Sequence, residues 1–393
     1  MSTPHEGLRS AHASAGTPSF RDEVRTWLAE HLVGKFAPLI GTGGPGREHE
    51  HVELRTAWEQ ELGRGGWIGL GWPVADGGRG VSIEDQVSFH EEYAKAAGPA
   101  RIGHIGEQLV APTLIAFGSQ EQKSRFLPRI KAGTDLWCQG YSEPDAGSDL
   151  AAVRTKAVLH DDGWHVTGQK VWTSLAHFAD WCFVIARTGD APRHRGLSFL
   201  LVPMDQPGIE VRPIASLTGT SEFNEVFFDD ALATSLVGEE GDGWRVAMGL
   251  LAFERGVSTL GQQVGFNREY DEVLALARSN GSFDALSNEL IDAWAGLQVL
   301  RHQALRTLSS DASASSGVEA NVNKLLWSSW HQQLGELAMK VAGPSALLVQ
   351  DGLSPLQNLF LFTRSDTIYG GSSEIQRNVI AERHWKLPRD SFS

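Results

Sequence analysis

Cysteine is almost missing from this 393-residue chain, which has only Cys138 and Cys182. Two thiols exclude a disulfide-stapled scaffold, fit no metal spacing, and point to a reducing, cytoplasmic location. Positive charge is also short, with 34 Lys and Arg against 48 Asp and Glu and a formal net charge of -14. Without a long Lys/Arg run, nucleic acids and anionic membranes are poor partners, and small molecules are better ones. No stretch of about 18 consecutive apolar residues occurs, so no transmembrane helix is expected. Residues 1–18 are polar and carry no apolar run of signal-peptide length, so they read as a disordered tail.

Familiar signatures are missing too: there is no G-x-S-x-G elbow and no Walker loop. "GTGGPG" at 41–46 matches a dinucleotide fingerprint by letter, but no strand is expected before it and Pro45 interrupts it, so that reading is rejected. His49, Glu50 and His51 lack the i, i+4 spacing that places two imidazoles on one helical face, so no metal site is expected.

What is present is an ordered change of period. Phe20, Val24, Trp27, Leu28 and Leu32 share one helical face, and the pattern returns around 52–62, 83–97 and 121–130. Between about 137 and 237 short β-branched and aromatic runs take over, with "DDG" at 161–163 as a hairpin signal. From Trp244 the helical period resumes, broken by the polar "SSDASASSG" at 309–317. The expected division is a tail at 1–18, a helical domain at 19–134, a β domain at 135–238 and a helical bundle at 239–393. Near the end, "TIYGGSSEIQRNVIAER" (367–383) sets Gly370 and Gly371 against a helix whose start reads as a capping box of Ser373 and Gln376. Free N–H groups there invite a polar ligand.

"WCQGYSEPDAGSDL" (137–150), "GQKVWTSLAHFADW" (168–181) and "YGGSSEIQRNVIAER" (369–383), in this order on a helix–sheet–helix chain, resemble the acyl-CoA dehydrogenase family of flavoproteins. The likeness covers nearly everything after the tail. It implies an α+β fold with an N-terminal α-helical domain, a middle antiparallel β-barrel and a C-terminal four-helix bundle. It also implies FAD, an acyl-CoA substrate, an electron-transfer flavoprotein or similar acceptor, a place in fatty acid or lipid metabolism, and a homodimer or homotetramer. By the same likeness Gln139, Tyr141 and Ser142 line the isoalloxazine, with Gly147 and Ser148 in a loop of small residues that lets backbone and hydroxyl groups approach it. Trp172 packs on the ring system and Ser174 reaches its N5 edge. Ser372 and Glu374 contact the FAD of a neighbouring subunit. Arg278, in "ARSNGS", is a weak counterpart of the family's adenosine-side arginine, and Lys340 replaces a glutamine often used for the cofactor. Arg193 and Arg195, with His194, are candidates for CoA phosphate contacts, and a solvated hairpin tip accounts for them equally well.

The family reaction removes an α-proton while the β-hydrogen leaves as hydride to flavin N5, so a base must face N5 across the thioester. Many relatives carry it directly after the tyrosine of the third motif, where this chain has Gly370 beside Tyr369. In another branch, including isovaleryl-type and many bacterial members, the base precedes an arginine on an earlier helix. "LLAFERG" (250–256) matches that pattern and puts Glu254 and Arg255 in register with it. Leu250, Phe253, Val257, Leu260 and Val264 form a core stripe beside the stripe of Ala247, Leu251, Glu254 and Ser258. Gly370 still offers its backbone N–H to the thioester oxygen. The expectation is dehydrogenation of an acyl-CoA or acyl-carrier thioester to the trans-2-enoyl product, with Glu254 as base and Ser148, Arg255 and Tyr369 near the substrate. The alternatives are a non-catalytic partner subunit of a heteromeric assembly, or a related flavin oxidase or monooxygenase.

Overall fold

The structure, a computed structural model, describes residues 19–254, 258–309, 318–349 and 352–388, and their side chains except at 252–261 and 307–309. The expected tail at 1–18 and most of the polar loop at 309–317 lie outside the described residues. Among the described residues five α-helices come first: α1 (Phe20–His31), α2 (Val52–Arg64), α3 (Ile83–Lys95), α4 (Ala111–Phe117) and α5 (Gln120–Lys131). Serine hydroxyls cap the starts of α1, α3 and α5. Ser19 accepts the Asp22 N–H at 3.2 Å, and Ser119 and Gln122 form a reciprocal capping box. The apolar faces meet in a core that includes Val24, Leu28, Trp58, Leu62, Phe89 and Phe126.

Eight strands follow: β1 (Trp137–Gly140), β2 (Lys156–His160), β3 (Gly163–Ser174), β4 (Trp181–Arg187), β5 (Leu197–Pro203), β6 (Ile209–Ile214), β7 (Phe223–Ala233) and β8 (Ser235–Val237). The hairpin expected at 161–163 joins β2 to β3 in antiparallel register. One sheet forms in the order β6-β7-β3-β2-β4-β5-β8, with β1 lying parallel to β4. The Thr234 N–H donates to Leu201 O at 3.1 Å, which brings the end of β7 back to β5 and curls the sheet around its apolar side. Cys138 and Cys182 are buried, free and paired in register across β1 and β4.

The helical period returns as α6 (Gly243–Glu254), α7 (Ser258–Ser279), α8 (Ser287–Ser309), α9 (Val318–Ala342), α10 (Pro355–Phe362) and α11 (Ser373–Val379). Phe266, Val273, Leu297, Trp330, Leu334 and Leu359 from α7 to α10 share one core, the expected bundle. The stretch around Glu254, expected as one striped helix, is helical up to 254 and from 258 onward, and residues 255–257 lie outside the described residues.

The glycine loop at 41–46 follows a 3-10 turn (Gly34–Leu39), not a strand, and has a structural task. Asn358 of α10 donates to Pro45 O at 3.0 Å, and the Glu48 N–H donates to Glu222 Oε1 at 3.2 Å. The loop thus touches both the sheet segment and the bundle. Gly46 has φ of 75°, a left-handed backbone that favours glycine, and a Cβ there would begin 2.2 Å from Asn358 Oδ1 and push that amide aside.

Candidate active site

The first part of the site is built where β1 and β3 run together. Along β3, Val166 and Lys170 are buried, so strict alternation would turn residue 172 inward as well. The pairing with β7 slips between Lys170 and Thr173, and Trp172 takes φ of 59°. Thr173 becomes the buried residue, and the Trp172 indole is left 59% exposed. Ordinary sheet packing therefore does not account for this tryptophan. A large aromatic plane held outward by a backbone conformation unfavourable to its residue type makes this a candidate ligand surface.

Ser142 and Ser174 of the expected set lie close to it along the chain or the sheet. The Val171 N–H donates to Ser142 O at 2.9 Å, fastening the segment after β1 beside Trp172. Gln139, Ser142 and Ser174 are half-buried on this rim, and Gly147 and Ser148 are exposed with open space around Gly147. Tyr141 is buried, with its ring edge-on to Phe183. Hydroxyls, amides and small residues beside an exposed indole suit a flat, heteroatom-rimmed ring system, which is the fit an isoalloxazine requires.

Beneath the rim lies a feature that sequence reasoning missed. The fully buried Lys170 Nζ donates to Glu143 Oε1 (2.9 Å), Tyr141 O (3.1 Å) and Ile185 O (2.8 Å). Glu143 also accepts the N–H groups of Arg154 and Thr155, at 2.6 and 2.9 Å. Burial raises the Glu143 pKa, but Lys170 and these hydrogen bonds outweigh it and hold the carboxyl below its ordinary range. The pair locks 141–143 onto β3 and β4. A lysine at an inward-facing strand position was the signal available in the sequence.

The second part is the turn before α11. Ser372 is its N-cap and takes the Ile375 N–H at 3.4 Å, one residue earlier than the expected capping box. Gln376 reaches back to the carbonyls of Gly370 and Gly371 instead, at 3.1 and 3.2 Å, because both glycines have positive φ, 64° and 88°, and turn those oxygens toward it. Behind Gly370, Lys324 of α9 is buried between the rings of Trp327 and Tyr369, at 3.9 and 4.4 Å from their centres. It donates to Asp366 O at 2.6 Å. Sequence reasoning missed this cluster as well.

Other expected residues are scattered more widely. Glu254 lies on α6, and its side chain lies outside the described residues, as does all of Arg255. Ala247 and Leu250 on the preceding turns are fully buried, so α6 packs tightly up to that point. Arg193 is exposed and donates to Asp149 Oδ1 at 2.9 Å, next to Ser148, whereas Arg195 is exposed on the same short turn. The His194 ring lies 4.1 Å from that of Trp244. Glu374 is exposed on the first turn of α11, and Tyr369 is 40% exposed beside Gly370. Arg278 and Lys340 are exposed near the ends of α7 and α9, with the Arg278 guanidinium over the Phe283 ring. Among the described residues no group of three His, Cys, Asp or Glu side chains is placed to hold a metal ion. No described helix is long and apolar enough to cross a membrane.

Helical, sheet and helical units in this order, with an exposed aromatic rim on the sheet, set the architecture, and comparison with known proteins gives the family. The N-terminal, middle and C-terminal domains described as "Acyl-CoA dehydrogenase" match residues 17–134, 138–231 and 241–384. Acyl-CoA dehydrogenase IpdE1 of Mycobacterium tuberculosis is 57% identical over 95% of this chain and 98% of its own. Among solved structures, the Tcur3481-Tcur3483 steroid ACAD superposes with a TM-score of 0.82 at 28% identity, over 94% of this chain and 97% of its own. The ChsE4-ChsE5 complex from Mycobacterium tuberculosis gives 0.79 at 30%, over 94% and 97%. The chain belongs to the acyl-CoA dehydrogenase family: it is a flavoprotein oxidoreductase whose cofactor is FAD.

Proposed function

We propose that this protein desaturates a bulky, ring-bearing acyl-CoA thioester between its α and β carbons. The observation that carries the reading is Gly370. The position that bears the base in many relatives has no side chain and a left-handed backbone, while its N–H remains available to a thioester oxygen. Bound FAD supplies the hydride acceptor at the Trp172 rim. The chain's own residues do the rest. Ser142, Ser174 and Trp172 orient the ring, Glu254 takes the α-proton, and the Gly370 N–H polarises the carbonyl as enolate charge grows. One such donor is worth about 3 kcal/mol at a transition state. Leaving out the side chain at 370 also enlarges the acyl space, in line with the steroid ACAD named among the structural neighbours.

Arg193 reaches Asp149, the residue after Ser148, and Arg195 shares its short turn, which supports a CoA phosphate contact there. The same chemistry would serve an acyl-carrier thioester. Two free thiols side by side on β1 and β4 support a reducing, cytoplasmic setting, with an electron-transfer flavoprotein as acceptor. A second reading, that the chain works as one partner of a heteromeric assembly, is favoured by the ChsE4-ChsE5 complex among its neighbours.

The test is anaerobic bleaching of the yellow protein by a panel of linear, branched and steroid-side-chain acyl-CoAs. Glu254→Gln should stay yellow and fail to bleach. Full activity in that variant would sink the assignment of the base. A protein that is colourless alone and turns yellow only with a second subunit would establish the heteromeric reading.

A further inference from the structure

The turn carrying Gly370 is held by an ionic chain that the expected chemistry does not use. Asp366, fully buried, is its hub. Its Oδ1 accepts the Tyr369 hydroxyl at 2.8 Å, its Oδ2 faces His331 Nδ1 at 2.8 Å, and its carbonyl accepts Lys324 Nζ at 2.6 Å. The other imidazole nitrogen, Nε2, lies 2.8 Å from Glu269 Oε2 on α7. Lys324 and His331 stand two helical turns apart on one face of α9, so a single helix grips Asp366 from both ends. A neutral imidazole has one N–H, and it would set a bare lone pair against one of these carboxylates. With carboxylate oxygens at both nitrogens, the geometry requires both to carry protons.

We propose that His331, as an imidazolium bridging Glu269 and Asp366, is a positioning residue that fixes the turn presenting the Gly370 N–H. This rests on the reading of Gly370 given above. The route is short. His331 holds Asp366, Asp366 holds the Tyr369 hydroxyl, and Tyr369 is the residue before Gly370. The Ile368 and Tyr369 N–H groups close on Ser365 O at 2.9 and 3.1 Å, so the turn moves as one piece with its anchor. Among the described residues the Gly370 N–H finds no acceptor, which leaves it for a ligand.

Charged and titratable groups face His331 from each packed element. They are Glu269 from α7, Asp366 and Tyr369 from the turn, Lys324 from its own helix, and Arg364, which donates to Gln332 O at 2.9 Å. Burial pulls the imidazole pKa down, but Glu269 and Asp366 outweigh it and push it up to about 9. Losing that proton leaves two carboxylates sharing one donor, and Asp366 loses its tether.

The test uses the FAD-loaded protein and two readouts. Hydrogen exchange of the 366–372 peptide, scaled for intrinsic rate, should rise about threefold between about pH 7 and pH 10 with a midpoint near 9, while a β4 peptide stays flat. His331→Gln should show the faster exchange at every pH. Its kcat should fall about tenfold, with KM and FAD content within about twofold of wild type and no alkaline limb near that midpoint. Flat scaled exchange in the wild type, or a variant with wild-type kcat and pH profile, would overturn the role of His331. The exchange arm needs no turnover, so a clear midpoint in a protein that bleaches with no acyl-CoA upholds the role of His331 on the turn and discards the thioester reading alone.

Discussion

Lys170 and Glu143 meet at 2.9 Å with the lysine side chain fully out of solvent, directly beneath the segment that faces Trp172. Removing one partner strands the other charge. Glu143→Ala should therefore cost about 3–5 kcal/mol of stability in urea unfolding and release FAD, whereas the double variant Lys170→Met/Glu143→Gln should recover much of that loss. A single variant as stable as the wild type would show that the pair does not organise the rim.

Trp172 gives the opposite pattern. Its indole is 59% exposed, so Trp172→Ala removes little core area. Unfolding should shift by no more than about 0.5 kcal/mol, while FAD content falls clearly. Equal FAD occupancy in the two proteins, measured from the flavin absorbance per chain, would contradict a stacking role.

At Gly370 the backbone sits at φ of 64°, and a Cβ there would begin at an ordinary 3.8 Å from Lys324. Space is adequate and conformation is not. Gly370→Ala should cost about 1 kcal/mol from left-handed strain. It should also lower kcat, since strain relieved at this residue rotates its N–H.

His331 makes stability depend on pH in a stated direction. Its folded pKa, about 9, lies above the ordinary 6.5, so its contribution is complete below about pH 6.5 and disappears as pH rises through 9. The difference in unfolding free energy between wild type and His331→Gln, on the order of 3 kcal/mol at pH 6, should shrink toward pH 10. A difference that grows over that interval would mean the imidazole is neutral in the folded state.

Much of this architecture was legible in the sequence because period is a local property. The β-branched and aromatic run "WCFVIAR" became β4 residue for residue, and "LSFLLVPM" became β5 up to Pro203. The Asp161–Asp162 hairpin followed from turn chemistry. The capping box expected before α11 gave way to a single cap, because Ser372 and Ser373 offer the same hydroxyl and the left-handed glycines draw Gln376 to their carbonyls. The exposed face of Trp172 depends on a register slip against β7, a pairing between segments about fifty residues apart, which period alone does not reveal. Asp366, His331 and Glu269 come from three separate elements, so no spacing in the chain announces their ionic chain.

The glycine loop that imitates a nucleotide fingerprint has a mechanical consequence. By bonding to Asn358 on one side and Glu222 on the other, it couples all three units of the chain through a few backbone atoms, and a side chain at Gly46 would displace the Asn358 amide that makes one of those bonds. Heat should then melt the polypeptide in one calorimetric transition, and a bulky residue at position 46 should split that endotherm into separate steps.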